Sequence, residues 1–362
     1  MSKYIALLHD GLVVSGGGER VAEALCHAFS GAPLFTSAWL PDNTFPSFKN
    51  NPPHLLPGAR FVSDERVFKL LYPLWWFGFR KLDLRGFDIV LSSSSYLAKF
   101  TQVPPNVPHI CYLHNPFRYL WDRTSYKENS LPLHGIPLRG VDVLTPWLRS
   151  IDLKATQRLT HIIANSHHMA DTFQKLYGRS AEVIYPPINV ADFPFSVERE
   201  EFYLFVGRLL SYKRADLAIQ ACQRLGRRLM VVGSGFEENR LQILSEGKVD
   251  FLGHVSEDKL KHLYSRARAL LFPGIEDFGL VPLEAQAAGC PVIAFGAGGA
   301  LESVIEAETG VFFNQQSVES LIDAMLRFEK HHFDPTRALS NALRFDINIF
   351  EGKIKAVVNR FI

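Results

Sequence analysis

Two glutamates eight positions apart, Glu276 and Glu284, flank the segment Phe278-Gly279-Leu280-Val281. An apolar run ends at Phe272, and a helix is expected to begin near Leu280, with Pro282 tolerated in its first turn. The amides of Phe278–Val281 are then helix-start donors, and such donors suit a phosphate. Carboxylates on either side suit hydroxyl-rich groups. Alone, the two glutamates read equally as a helix cap and a solvated or ion-paired residue. A second segment, Phe205-Val-Gly207-Arg208-Leu-Leu-Ser-Tyr-Lys213-Arg214, follows another apolar run and carries two cations on one loop. A guanidinium fork and an ammonium point charge together suit a diphosphate. Near the N-terminus, Asp10–Arg20 holds Gly16, Gly17 and Gly18 ahead of a helical pattern. This is not G-x-G-x-x-G, and a plain strand-to-helix turn explains it as well as an anion cradle does. His114 closes the group, just after an apolar run in the first half.

The elements that must position these residues alternate along nearly the whole chain. Strand-like runs occur at Tyr4–His9, Phe87–Ser92, His109–Leu113, His161–Ser166 and Glu182–Tyr185, then at Phe202–Gly207, Arg228–Gly233, Val249–Gly253, Ala269–Pro273, Pro291–Phe295 and Gly310–Phe313. Helix-period segments such as Gly18–Phe29, Trp147–Leu159, Arg214–Leu225 and Val318–Phe328 lie between them. Continuous apolar strands alternating with helices predict α/β architecture with parallel sheets covered on both faces. Two such blocks predict two doubly wound domains, which bind ligands at the C-terminal ends of their strands. Proline-rich Tyr185–Phe195 suits a linker. The expected division is therefore 1–185, 186–344 and a terminal helix 345–362 with an apolar stripe of Phe350, Ile354, Val357, Val358 and Phe361.

Composition sets the outer bounds. A chain of 362 residues that is 47% hydrophobic and 21% charged can bury two cores. A net charge of +2 lacks the basic field of a duplex-binding protein, so no nucleic-acid partner is expected. Cys26, Cys111, Cys222 and Cys290 form no C-x-x-C pair and read as buried free thiols of a reducing compartment. The first ten residues are too short an apolar stretch for a signal peptide, and no run reaches the ~18 apolar residues of a membrane span. A cytoplasmic location follows. One segment departs from the α/β pattern: Arg66–Arg85 mixes five basic residues with dense aromatics. It reads either as a buried helix with solvated ends or as a peripheral patch for an anionic inner membrane surface.

Taken together, Gly207-Arg208…Tyr212-Lys213 and Glu276…Glu284, with Gly233-Ser-Gly235 and Phe251-Leu-Gly253-His254-Val255 between them, resemble glycosyltransferase family 4 of the GT-B fold. His114-Asn-Pro-Phe-Arg118-Tyr-Leu-Trp121-Asp122 resembles a segment of the family's bacterial mannosyltransferase-like members, which build O-antigen or exopolysaccharide. The resemblance covers most of the chain. It implies two Rossmann-like domains facing each other across a cleft, with the C-terminal helix returning to the first. Arg208 and Lys213 would neutralise the departing diphosphate, Glu276 would bind donor-sugar hydroxyls, and Glu284 the ribose. Phe278, Gly279, Leu280 and Val281 would hold phosphate and sugar through their backbone. Gly235, His254 and Val255 would line the nucleotide pocket, Gly16 and Gly17 would approach the diphosphate, and His114 would face the donor sugar. Asp10, His9 and Arg118 are secondary candidates, followed by His167 and His168.

The implied reaction is retaining hexosyl transfer from a nucleotide-diphosphate sugar, GDP-mannose on this resemblance, to a lipid-linked saccharide or polysaccharide. UDP-sugars stay open as donors. No D-x-D triplet exists, so a carboxylate-held Mg²⁺ or Mn²⁺ is not expected, and the resemblance implies no cofactor besides the donor substrate. Rival readings are an epimerase or phosphorylase on the same architecture and a non-catalytic nucleotide-sugar-binding protein.

Overall fold

The computed structural model describes residues 4–121 and 138–361. Asp122, the last residue of the His114 segment, lies outside them. The chain divides into one unit of Met1–Pro187 with Asn348–Ile362 and a second of Ile188–Ile347.

The first unit holds seven strands, β1 (Ile5–His9), β2 (Leu34–Thr36), β3 (His54–Leu55), β4 (Ile89–Ser94), β5 (His109–Leu113), β6 (His161–Ala164) and β7 (Glu182–Val183). Their order is β3-β2-β1-β4-β5-β6-β7, and every pair is parallel. β4 and β5 are buried along their whole length, as expected of central strands covered on both faces. β2 and β3 have no counterpart among the runs singled out in the sequence. Three and two residues are too few to show a period against proline-rich surroundings.

Arg66–Arg85 forms two helices rather than one. Asp64 caps Glu65–Leu70 by accepting from the amides of Arg66 and Val67, and Tyr72–Arg80 follows with a proline in its first turn. Phe68, Trp75 and Phe79 enter the core beside Ala6, Leu8 and Val90, and Trp75 Nε1 donates to the Phe68 carbonyl at 3.0 Å. Leu70, Leu74 and Phe77 remain exposed, at 55%, 41% and 56%. The segment thus has both a core face and an apolar outer face. The terminal helix Ile347–Asn359 buries Phe350, Ile354, Val357 and Val358, and Phe350 meets Tyr112 of β5 edge-on.

The second unit holds β8 (Phe202–Val206), β9 (Arg228–Val232), β10 (Asp250–Gly253), β11 (Ala269–Phe272), β12 (Val292–Phe295) and β13 (Gly310–Phe313), ordered β10-β9-β8-β11-β12-β13 and again all parallel. Helices Ala215–Leu225 and Val318–Lys330 pack into one core layer. Helices Glu257–Arg266 and Val281–Ala287 contribute to the other. The latter is short but firmly held. The buried Gln286 amide donates to the carbonyls of Pro282 and Ser303, and Asn341 donates to Gln286 Oε1 and the Ser303 carbonyl. Where the chain passes from one unit to the other, Ile188 and Asp346 form a parallel bridge. Cys111, Cys222 and Cys290 are buried free thiols, whereas Cys26 is half-buried and is pushed up to about 12 by desolvation.

On the β8 side, Glu329 accepts from Arg227 Nε and from Tyr203 Oη, at 2.8 and 2.9 Å. The Arg227 guanidinium is the main cause of a Glu329 carboxyl held down at about 2, with burial opposing. A folded-state value below the unfolded one means stability present above about 4.5 and lost as pH falls through 2. Glu329→Gln should therefore lower unfolding free energy by about 1–2 kcal/mol at pH 7. The difference from wild type should shrink toward zero in denaturant titrations between pH 4.5 and pH 2.

Candidate active site

Because all six strands of the second sheet run the same way, the turns after β8, β9, β10 and β11 emerge on one edge. That edge receives Arg208 and Lys213, Gly233 and Gly235, His254 and Val255, and Glu276 through Val281. The loops approach one another so closely that side chains are excluded. A β-carbon on Gly233 would lie 2.1 Å from the Gly207 carbonyl oxygen, and one on Gly235 would lie 2.5 Å from that of Leu209. Gly233 also has φ +120°. These two glycines permit loop-on-loop packing, which draws the β9 turn against the one carrying Arg208.

Lys213 closes a single turn of 3-10 helix, Ser211–Lys213, and its ammonium contacts Glu276 Oε1. Two residues 63 positions apart thus form an ion pair whose side chains are 13% and 18% exposed. Gly274 makes this approach possible, since a β-carbon there would lie 2.9 Å from the Lys213 α-carbon. Arg208 is exposed on the same loop. Arg214, by contrast, turns away to fork onto Asp216.

Helix Val281–Ala287 starts after Leu280 with no side-chain cap, and Gly279 takes φ +85° to make the turn. Phe278 points inward against Phe345. Behind the turn, the Gly299 amide donates to the Glu276 carbonyl at 2.9 Å, and a β-carbon on Gly299 would fall 2.2 Å from the Phe278 α-carbon. Gly298 and Gly299, in the loop after β12, were not among the sequence candidates. Their signal was the Gly296-Ala-Gly-Gly299 string at a strand end. Glu284 lies in the first turn of the helix, where Tyr264 Oη donates to its Oε2 at 2.9 Å. The buried Tyr264 ring thereby fixes the carboxylate. His254 and Val255 lie between β10 and Ser256, which caps the following helix.

In the first unit, the corresponding edge gathers His9, Asp10, Ser93, Ser94 and His114. Parallel register puts His9 beside Ser93 and Ser94 beside Leu113. His114 is anchored by its backbone, with N–H donating to Ser94 O and the carbonyl accepting from Asn165 Nδ2, both at 3.0 Å. Burial pushes its imidazole down to about 3, His9 adds to the effect, and Asp10 opposes it. Gly16 precedes helix Gly17–Ala28 in extended conformation with no side-chain cap. The backbone of the next turn crosses the site, since a Gly18 β-carbon would lie 3.7 Å from His114 Nε2.

Asp10 is engaged elsewhere. Its two oxygens accept from Ser94 Oγ and from the amides of Ser95, Tyr96, Leu97 and Ala98, at 2.6–3.0 Å. It therefore anchors the turn after β4 instead of facing a ligand. Arg118 begins the short helix Arg118–Trp121, and Trp121 Nε1 donates to the fully buried Asp152, which also accepts from Tyr177 and pairs with Lys99. His167 and His168 are exposed at the start of helix His167–Tyr177, away from these contacts.

Two parallel doubly wound units, each with its polar residues at the strand C-termini, have the architecture of the GT-B fold. Residues 15–192 match the model described as Glycosyltransferase Family 4, and residues 191–344 match that described as Glycosyl transferases group 1. The chain belongs to glycosyltransferase family 4. It is 30% identical over 159 residues to the O-antigen chain mannosyltransferase RfbU of Salmonella typhimurium, covering 41% of this chain and 45% of that protein. To the alpha-1,3/1,6-mannosyltransferase ALG2 of Mus musculus it is 25% identical over 351 residues, 84% and 80% of the two chains. The structure of Anabaena HepE with UDP and glucose superposes with a TM-score of 0.72 at 17% identity, over 99% of this chain and 100% of that one.

If Lys213 and Glu276 serve the reaction and not the fold, Lys213→Ala and Glu276→Ala should each remove most transfer activity. Both should unfold within about 1–2 kcal/mol of wild type, because the pair keeps some solvent contact. Near-wild-type turnover in either variant would refute the assignment.

Proposed function

We propose that this protein is a retaining, metal-independent hexosyltransferase that moves mannose from GDP-mannose to a lipid-linked saccharide or polysaccharide. The observation that carries the reading is the Lys213–Glu276 pair set beside an uncapped helix start on the β11 turn. An ammonium, the Arg208 guanidinium carried on the same loop and helix-start amides suit a diphosphate leaving group. Glu276 keeps the ammonium oriented in the free enzyme and offers its other oxygen to sugar hydroxyls. Glu284, steadied by Tyr264, serves the ribose.

In this reaction the bond from the anomeric carbon to the diphosphate oxygen breaks as the acceptor hydroxyl bonds to the same face. The acceptor proton passes to the departing diphosphate oxygen. Negative charge grows on that oxygen and positive charge on the sugar, so fixed cations and amides stabilise the transition state more than the ground state. His114 contributes a neutral hydrogen-bonding group to the sugar. Mannose rests on the likeness to RfbU and ALG2, both mannosyltransferases by name, and GDP on the resemblance of the His114 segment to the family's mannosyltransferase-like members. A second reading, a UDP-sugar donor, is favoured by the likeness to HepE, solved with UDP and glucose.

Thermal shift with GDP, UDP, GDP-mannose and UDP-glucose, each with and without EDTA, separates these readings. At about 100 times the dissociation constant, a bound nucleotide should stabilise the fold by roughly 2.7 kcal/mol. A guanine-selective shift unaffected by EDTA is expected. A uracil-selective shift would replace the donor, loss of the shift in EDTA would overturn metal independence, and no shift with any nucleotide would overturn donor binding.

Peripheral contact with an anionic membrane belongs to the same proposal. No helix among the described residues is long and apolar enough to cross a membrane. Exposed Phe61, Leu70, Leu74 and Phe77 instead lie among six cations and three carboxylates between residues 60 and 85. Exposed apolar side chains with cations close by in the chain suit the acyl–headgroup boundary. Flotation with anionic vesicles should carry the protein, and Leu74→Ser/Phe77→Ser should weaken binding. Equal binding to neutral vesicles would overturn the electrostatic part, and no binding to either would overturn the contact.

A further inference from the structure

Glu19, His9, Ser93 and His114 form a row across the C-terminal edge of the first sheet. Glu19 Oε1 lies 4.0 Å from His9 Nε2. His9 Nδ1 lies 3.1 Å from both the carbonyl oxygen and Oγ of Ser93. Ser93 Oγ in turn lies 2.8 Å from His114 Nε2. The two contacts of His9 Nδ1 decide the direction of the last. A carbonyl oxygen can only accept, so the His9 Nδ1 facing it bears a proton. Glu19 lies against the opposite nitrogen of the ring and makes no contact with Nδ1. That N–H also faces Ser93 Oγ, leaving the hydroxyl hydrogen to point onward to His114.

We propose that His9 and Ser93 are positioning residues that fix His114 as the neutral Nδ1–H tautomer, with Nε2 accepting from Ser93 and Nδ1–H offered to an oxygen of the donor sugar. The inference rests on the assignment of His114 to that sugar. The row is set inside the protein: Ser93 is fully buried, and His9 and His114 are 4% and 8% exposed. Gly18 closes over it, since a β-carbon there would lie 3.7 Å from His9 Cε1 and His114 Nε2 alike.

The tautomer has a chemical consequence. Positive charge develops on the sugar as the diphosphate leaves, and an imidazolium beside it would oppose that charge. A neutral ring held as a donor can bind a sugar oxygen without this penalty. The same ring cannot serve as a base through Nε2, because that lone pair is occupied by Ser93. Since a histidine tautomer is set by the partner of its other nitrogen, the partner is the residue to change.

Long-range nitrogen–proton NMR of histidine-labelled protein, read for His114 in the free enzyme, tests the row without any activity measurement. Protonated Nδ1 and bare Nε2 are expected in the wild type, shifting toward the Nε2–H form or a mixture in Ser93→Ala. His9→Asn, whose amide can still donate to Ser93, should keep the wild-type tautomer, and His9→Phe should lose it. In transfer assays Ser93→Ala should lower kcat roughly tenfold, the worth of one hydrogen bond, with little change in donor KM. It should cost nothing further in a His114→Ala background. Protonated Nε2 in the wild type would overturn the proposal whatever the rates. The expected tautomer with undiminished kcat in Ser93→Ala would overturn its role in transfer. Undiminished transfer in His114→Ala would instead overturn the assignment of His114 to the sugar.

Discussion

Hydrogen bonding between strands that all run in one direction governs both units. Each parallel ladder must be roofed on both faces by helices, so its strands are filled with apolar side chains, and the polar chemistry is pushed to one edge. β4, β5 and β11 are buried from end to end. Lys213, Glu276, His9 and His114 stand at or just past strand C-termini, where the backbone leaves the ladder and can turn toward a ligand. The architecture does not choose the chemistry, but it restricts where chemistry can be built.

Bringing the turns together then requires the absence of side chains. Gly233 against Gly207, Gly235 against Leu209, Gly274 against Lys213 and Gly299 against Phe278 are all approaches that a β-carbon would block. Four glycines therefore set how closely the cationic loop, the nucleotide-side turn and the Glu276 turn can meet. Their contribution to the site is steric permission, with the charged groups delivered by neighbours. The polar groups left behind the site are satisfied too, as in the Gln286–Asn341–Ser303 network under helix Val281–Ala287. An unpaired amide in that position would cost about 1–3 kcal/mol and loosen the helix start that the site depends on.

The first unit solves a different problem, that of placing histidines and serines inside a strand-rich interior. Ser92, Ser93 and Ser94 are fully buried on β4, and each hydroxyl has a partner: His109, His9 with His114, and Asp10. Asp10 spends both oxygens on the turn that follows. The polar row is tolerated because each serine hydroxyl in it has a partner, and the contact with Ser93 fixes where His114 Nε2 points.

Much of this was legible in the sequence, and the boundary of legibility is physical. Apolar runs of four to six residues identified β1 and β4 through β13, most plainly β4, β5 and β11, where burial on both faces leaves its mark on every residue. β2 and β3 left none, being too short for a pattern. The charges of Arg208 and Lys213 on one turn, and of Glu276 and Glu284 on another, were evident from residue type and spacing. Their pairing was not, since Lys213 and Glu276 are 63 positions apart and meet only because β8 and β11 are neighbours. Likewise nothing in Ser92-Ser-Ser-Ser95 sets one serine apart from the next, whereas parallel register puts Ser93 beside His9 and within reach of His114. Sequence determined which elements form and which groups carry charge, through local periodicity and chemistry. Tertiary structure decided which of those groups touch, because that depends on contacts between distant strands.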